Sequence, residues 1–556
     1  MDYSAIFHPY MLSGRQPLSR KKIVFRLYAA ADDLARVSIC YFRRAEPEKI
    51  DEQPLTLYAQ DWARADWRGV VDFPEDPCHY YQYVFLLQDQ KGLRRYYSEY
   101  GFTEDMPKDG FFEILQITAG DLPTAPDWAR GVIYYQIFPE RFENGGVPKS
   151  HELEPWTAEP TRENYLGGDL KGIISRLPYL KELGIGCVYL NPIFKADFNH
   201  KYATIDYYSV DPDFGTEQDL CDLVKKAHAC GIRVILDGVF NHVGIHHPAF
   251  EDVLKNGSAS RYADWFYLKK DSISVDADSY ECFGDYPYMP RLRTDHPEVQ
   301  GMILDVTRYW LRVAGIDGWR LDVADELDLS CLRLMRIHLR REFPQALLMG
   351  ETWRDATRML NEGDQTDCVM NYHFKDAMTE YFAHHNLDEK AFANRLDHMR
   401  MKYSEETLHY MYNLIGCHDT PRFLTECGGE KQMLKLAIAF QMAFPGSPAI
   451  YYGDESGMAG ENDPGCRGGM NWDSMDKKLL AWTKRWIAER GKHPALQMGS
   501  FRWLCVDPAK HLLAFERTLP EETVQIAFNL DTQSHRIQGL AAPATLPAES
   551  VKIFVR

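Results

Sequence analysis

The sequence predicts an α/β protein: a (β/α)8 TIM barrel with a small inserted domain after the third strand, an N-terminal β-sandwich domain and a C-terminal all-β domain. Three observations carry this prediction. Short alternating strands fill the first 120 residues. Eight apolar strand-like runs then alternate with helical stretches over about 360 residues, and β-rich segments return from about residue 490. Apolar strands separated by helices imply a parallel sheet covered on both faces, and eight such units suggest a closed barrel.

In residues 1–120, the stretch 23–28 is a strand. Val37, Ile39 and Tyr41 alternate with polar neighbours, as do Tyr81, Tyr83, Phe85 and Leu87. Asp89 to Gly92 reads as a turn into a further strand at 94–97, and such short, turn-bounded strands suggest a sandwich. Prolines 123 and 126 mark a linker. The central domain, 121–489, has strand signals at 132–138, 187–190, 232–237, 317–322, 346–351, 367–370, 410–415 and 449–452. Helical periodicity covers 170–183, 217–230, 299–314, 329–343 and 432–444, with Gly184 and Gly231 as stops. Residues 243–296 are irregular and form the insertion. The domain 490–556 holds strands near 501–504, 511–515, 524–528 and 551–555.

Composition narrows the function. With 556 residues, 45% hydrophobic and 26% charged, the chain is an ordinary globular one. A net charge of −18 argues against nucleic acid or an anionic membrane as partner. No run of about 18 apolar residues is present to span a bilayer. The first residues lack a basic and then an apolar region, so no secretory signal is expected. The 12 cysteines form no Cys-x-x-Cys pair. Together these point to buried thiols in a reducing cytoplasm.

In a barrel of this type the site lies at the C-terminal strand ends. The fourth strand ends in Arg320 and Asp322, which as i and i+2 project to one side. A carboxylate beside a guanidinium stays ionised at neutral pH and can serve as a nucleophile, or simply as half of a structural ion pair. The third strand runs into Asp237 and His242, the fifth into Glu351 and the seventh into His418 and Asp419. Three carboxylates therefore gather without a Cys/His zinc set or a Gly-rich phosphate loop. Glycoside hydrolysis is the most economical use of them.

These segments resemble the four signature regions of the alpha-amylase superfamily, glycoside hydrolase family 13: 237–242, 318–326, 350–353 and 417–420. Met289-Pro290-Arg291-Leu292 is similar to the Met-Pro-Lys-Leu of the neopullulanase, cyclomaltodextrinase and maltogenic amylase group. The stretches 135–142, 199–202, 452–455 and 463–467 match that group too. The resemblance implies a retaining glycoside hydrolase that cleaves α-1,4 links in cyclomaltodextrins, maltooligosaccharides and pullulan, with some transglycosylation. An α-glucan transglycosylase, an α-1,6-cleaving relative and a non-catalytic glucan-binding protein are the alternatives.

The resemblance also implies roles. Asp322 is the nucleophile, Glu351 the general acid and base, and Asp419 the stabiliser of the transition state. Glu351 then needs a neighbour that raises its pKa, and Arg320 holds Asp322 ionised. Tyr202 stacks on the sugar before the cleaved bond. His242, His418, Asp463 and Arg467 hold sugar hydroxyls. Asp237 is structural, and Glu326 lies towards the leaving group. A homodimer is implied, with the sandwich of one subunit over the partner's cleft. Many relatives bind calcium through an Asn-Gly-Asp run followed by Asn-Asp. Here residues 144–150 read Asn-Gly-Gly-Val-Pro-Lys-Ser, leaving only Asn144 and Asp169 of a set that should supply about 6–8 oxygens. The expectation is that this site is lost and that no cofactor is used.

Overall fold

The computed structural model describes residues 1–9, 13–114, 116–361, 363–540 and 543–556. The chain forms two compact units. One comprises Met1–Thr124 with Thr357–Asp364 and Lys390–Leu408; the other comprises Ala125–Ala356, Gln365–Glu389 and His409–Arg556. Sequence patterning had placed 357–364 and 390–408 wholly with the barrel. They pack with the N-terminal strands instead.

The first unit is a sandwich of antiparallel strands. Lys22–Ala30 pairs with Arg64–Asp72, and Leu34–Arg43 pairs with Tyr81–Asp89. Its interior is aromatic-rich, with Phe25, Phe73, Tyr83, Phe85 and Phe112 all buried. At one face the fully buried Asp66 binds Arg26 at 2.7 Å and Arg68 at 2.8 Å. Arg68 also donates to the Tyr403 carbonyl at 3.0 Å, and Tyr28 Oη to the Met401 carbonyl at 2.8 Å, which docks the 390–408 segment. Burial pushes the Asp66 carboxyl up, but the two guanidiniums outweigh it and hold it below the usual carboxylate range. A depressed carboxylate contributes stability above its unfolded pKa of about 3.9, and that stability is lost as pH falls through the lower folded value. The urea midpoint of the full chain is therefore expected to fall below about pH 4, with a shallower fall in Asp66→Asn. Equal acid limbs in both would refute the assignment.

The second unit is built on eight parallel strands: β1 Tyr134–Ile137, β2 Cys187–Leu190, β3 Arg233–Gly238, β4 Gly318–Leu321, β5 Leu347–Gly350, β6 Cys368–Val369, β7 Tyr412–Leu414 and β8 Ser447–Tyr451. They neighbour one another in the order β6-β5-β4-β3-β2-β1-β8-β7. The ends of this order meet through one parallel bridge, Met370 to Tyr412, backed by Asn371 Nδ2 to Asn413 Oδ1 at 2.8 Å. The predicted barrel is thus present, with a thin seam between β6 and β7. Tyr134, Tyr189, Ile235, Met349 and Tyr412 fill its interior.

Helices follow most strands: α1 Leu170–Leu183, α2 Glu217–Ala229, α3 Pro297–Val313, α4 Leu329–Glu342, α5 Tyr372–Met378, α6 Lys431–Ala443 and α7 Lys477–Lys492. Asp169 caps α1 by accepting from the Gly172 N–H, and Gly184 ends it at φ +93°, a left-handed position that glycine takes without a Cβ clash. The link from β5 to β6 departs from strict alternation; its one helix among the described residues is the four-residue Thr357–Leu360. The insertion after β3 contains one α-helix, Pro248–Asn256, two short 3-10 turns and a cluster of Phe250, Phe266 and Tyr280. A hairpin between β2 and α2, Phe194–Ala196 with Thr204–Val210, was not foreseen. Strands Ser500–Asp507, Leu512–Leu519, Glu522–Asn529 and Ser550–Val555 form the predicted C-terminal antiparallel sheet.

Candidate active site

The strand ends form a cavity of about 410 Å³. Asp322, Glu351 and Asp419 all line it, delivered by the ends of β4, β5 and β7. Beneath them lies the wholly buried Arg320. Its Nη1 reaches Asp237 at 2.8 Å and Asp322 at 2.7 Å, and its Nη2 reaches Glu351 at 2.8 Å. Three carboxylates thus share one cation. Asp237 is tied further by Tyr189 Oη at 2.6 Å and Tyr202 Oη at 3.0 Å, at the bottom of the site.

Sharing changes the electrostatics expected for Asp322. Burial pushes its carboxyl well above the ordinary range. Arg320 pulls it down, while Glu351, Asp237 and Asp419 push it further up. Asp237 is likewise raised, to about 6, by burial against the same guanidinium. Arg320 pulls the Asp322 carboxyl down, as expected, but burial and the neighbouring carboxylates outweigh it.

Glu351 is held at both carboxylate oxygens. The Val323 N–H donates to its Oε2 at 2.9 Å, and Trp353 Nε1 to its Oε1 at 3.0 Å. The first contact depends on an unusual backbone. Val323, directly after Asp322, sits at φ +46°. A β-branched residue in that left-handed region costs about 1–3 kcal/mol, and here the strain turns its amide onto the carboxylate.

The opposite wall is a chain of ion pairs. Arg467 holds Asp419 at 3.0 Å and Asp463 at 2.9 Å, and Asp463 also meets Arg162 at 3.2 Å. His418 lies behind Asp419 with Nε2 at 3.0 Å from Oδ2. Gln136 Nε2 donates to His418 Nδ1 at 2.8 Å, so its proton sits on Nε2, facing Asp419 and Tyr202 Oη. Burial drives His418 well below the usual histidine range. Tyr202 lines the cavity with its ring parallel to that of His418, 5.5 Å away.

His242 differs from His418. It is buried and stacks on Phe283 at 4.8 Å. Burial lowers it to about 3 against a backbone hydrogen bond at Tyr202, so it is neutral. Arg291 of the Met-Pro-Arg-Leu stretch meets the Glu326 carbonyl at 3.3 Å, and Asn241 Nδ2 donates to Glu326 Oε2 at 3.1 Å. These contacts fix Glu326 on the rim.

Of the nine predicted site residues, seven line the cavity: Asp322, Glu351, Asp419, Tyr202, His242, Asp463 and Arg467. Arg320 and His418 are not among the lining residues; Arg320 holds Asp237, Asp322 and Glu351, and His418 lies against Asp419. Sequence reading missed Arg162, Phe283, Tyr286 and Tyr288, which also line it. Among the described residues one trio, Cys417, His418 and Asp419, is close enough to grip a metal. Its donors are already engaged, and burial pushes the Cys417 thiol up to about 11, which disfavours a metal thiolate.

A barrel whose strand ends gather three carboxylates around one cavity fits a glycoside hydrolase. Comparison with known proteins makes this specific. Residues 136–494 match the alpha amylase catalytic domain and residues 1–118 the alpha amylase N-terminal Ig-like domain, and the chain belongs to the alpha-amylase family. It is 44% identical to a cyclomaltodextrinase of Geobacillus thermopakistaniensis (strain MAS1), over 97% of this chain and 92% of that one. Neopullulanase 2 of Thermoactinomyces vulgaris is 40% identical, over 95% and 91%. A solved cyclomaltodextrinase superposes with a TM-score of 0.92 at 37% identity, covering 97% of this chain and 93% of its own.

Proposed function

We propose that this chain hydrolyses α-1,4-glucosidic bonds of cyclomaltodextrins, maltooligosaccharides and pullulan with retention, and transfers glycosyl groups to a lesser extent. The observation that carries the reading is the pair Asp322 and Glu351 on the two nitrogens of one guanidinium. Two carboxyls that share one guanidinium leave little room for an attacking water between them, which favours the retaining arrangement of about 5 Å over the wider inverting one. Glu351, as general acid, gives a proton to the leaving oxygen. Asp322 attacks the anomeric carbon as the nucleophile. Glu351 then accepts a proton from the water that releases the sugar. His242 and Asp419 bind the hydroxyls of the distorted ring, and Tyr202 supports its face.

The names of the relatives support cyclodextrins and pullulan as substrates. Initial rates on β-cyclodextrin, pullulan and soluble starch test this. Cyclodextrin is expected well ahead of starch. Starch equal or faster would replace the reading with that of an open-cleft amylase. The resemblance further supports a homodimer, which a monomer in analytical ultracentrifugation would overturn. All 12 cysteines are free thiols, eight of them buried, in keeping with a reducing cytoplasm.

A further inference from the structure

The loop leaving β1 runs through Asn144–Ser150, where a family cation site was expected to be lost. A group of oxygens does converge there, and it converges on a side chain. The Lys149 ammonium, only 8% exposed, contacts Asp169 Oδ2 at 3.0 Å. It also donates to the Asp213 carbonyl at 2.6 Å and reaches the Gly168 carbonyl at 3.5 Å. Three acceptors meet the three N–H donors of one ammonium.

The rest of the shell is closed to a metal. Asp169 is fully buried. Its Oδ1 accepts from the Gly145 N–H at 3.0 Å and the Gly172 N–H at 2.8 Å, and its Oδ2 also accepts from the Val147 N–H at 3.0 Å. Asn144 Oδ1 is taken by the Gly146 N–H at 2.8 Å. A Cβ on Gly145 would lie 2.5 Å from Asp169 Oδ1, so the loop wraps the carboxylate as tightly as backbone allows. Calcium needs about 6–8 oxygen ligands. These residues do not fit it, and they do fit an ammonium.

We propose that Lys149 is a built-in cation that does the structural work of a bound metal ion. It ties three pieces of chain together: the loop 144–150, the N-cap of α1 and the turn at Asp213 that precedes α2. Further along the same connection between β1 and α1, Arg162 meets Asp463, and the Asn164 carbonyl accepts from Arg141 and Asn199. A metal shell can be emptied by a chelator, whereas a covalently held ammonium cannot.

The test uses the full chain and does not depend on glucan hydrolysis, so its failure is separate from failure of the proposed activity. Elemental analysis of the purified protein is expected to find no stoichiometric divalent metal. The thermal midpoint is expected to be the same in EDTA and in millimolar calcium chloride. Lys149→Met removes the charge but keeps most of the packing, and leaves Asp169 buried without its cation. Its midpoint is expected to fall by roughly 3–5 °C. One bound metal per chain, a wild-type midpoint that drops in EDTA, or a Lys149→Met midpoint equal to wild type would each overturn the proposal. If Lys149→Met does not fold, the two wild-type measurements still decide.

Discussion

Asp322→Asn is expected to lower kcat on maltooligosaccharides by about 10⁴-fold or more, the scale on which removal of a covalent nucleophile acts. The amide can still accept from Arg320 at the position where the carboxylate now does, 2.7 Å away. The cavity therefore keeps its shape, and KM should change little. Burial pushes the native Asp322 carboxyl up, so an uncharged replacement should leave the thermal midpoint unchanged or higher. Steady-state rates and a melting curve on the same preparation check both points. Residual activity within tenfold of wild type would remove Asp322 from the reaction.

The second large effect is expected at Glu351. Glu351→Gln should reduce kcat on oligosaccharides by about 10²–10⁴-fold, the usual contribution of a positioned acid. An aryl α-glucoside whose phenol is itself acidic needs no proton to leave. The loss of the first step on that substrate should be smaller, by roughly tenfold or more. Comparison of burst and steady-state phases on the two substrates separates the roles. Equal losses on both would mean that Glu351 acts through structure alone, for instance through its bond to the Val323 amide.

The catalytic carboxylates were legible because each ends an apolar strand run. The barrel rule then places such positions at one mouth. The strands themselves were legible to within a few residues, since continuous apolar stretches such as 187–190 have no reading on a solvent face. Arg162, Tyr286 and Tyr288 were not legible. They stand in irregular loops, where no period assigns a side, and only the folded chain brings them to Asp463 and the cavity. The hairpin Thr204–Val210 was hidden for a different reason. Only Tyr207 and the two ends of that strand are fully buried, so its apolar alternation is faint. Arg320 shows the limit in energetics. Spacing put it beside Asp322 correctly, but no spacing tells that Asp237 and Glu351 claim the same guanidinium.

That shared guanidinium has a bearing on how any variant of the site will behave. Asp237 and Asp322 titrate as a pair, not as two independent acids. Their titration steps belong to the pair, and a pH–rate profile reads those collective steps. Deleting one of the three carboxylates around Arg320 frees part of its charge for the others. Free-energy changes from single substitutions here will therefore not sum to those of the doubles.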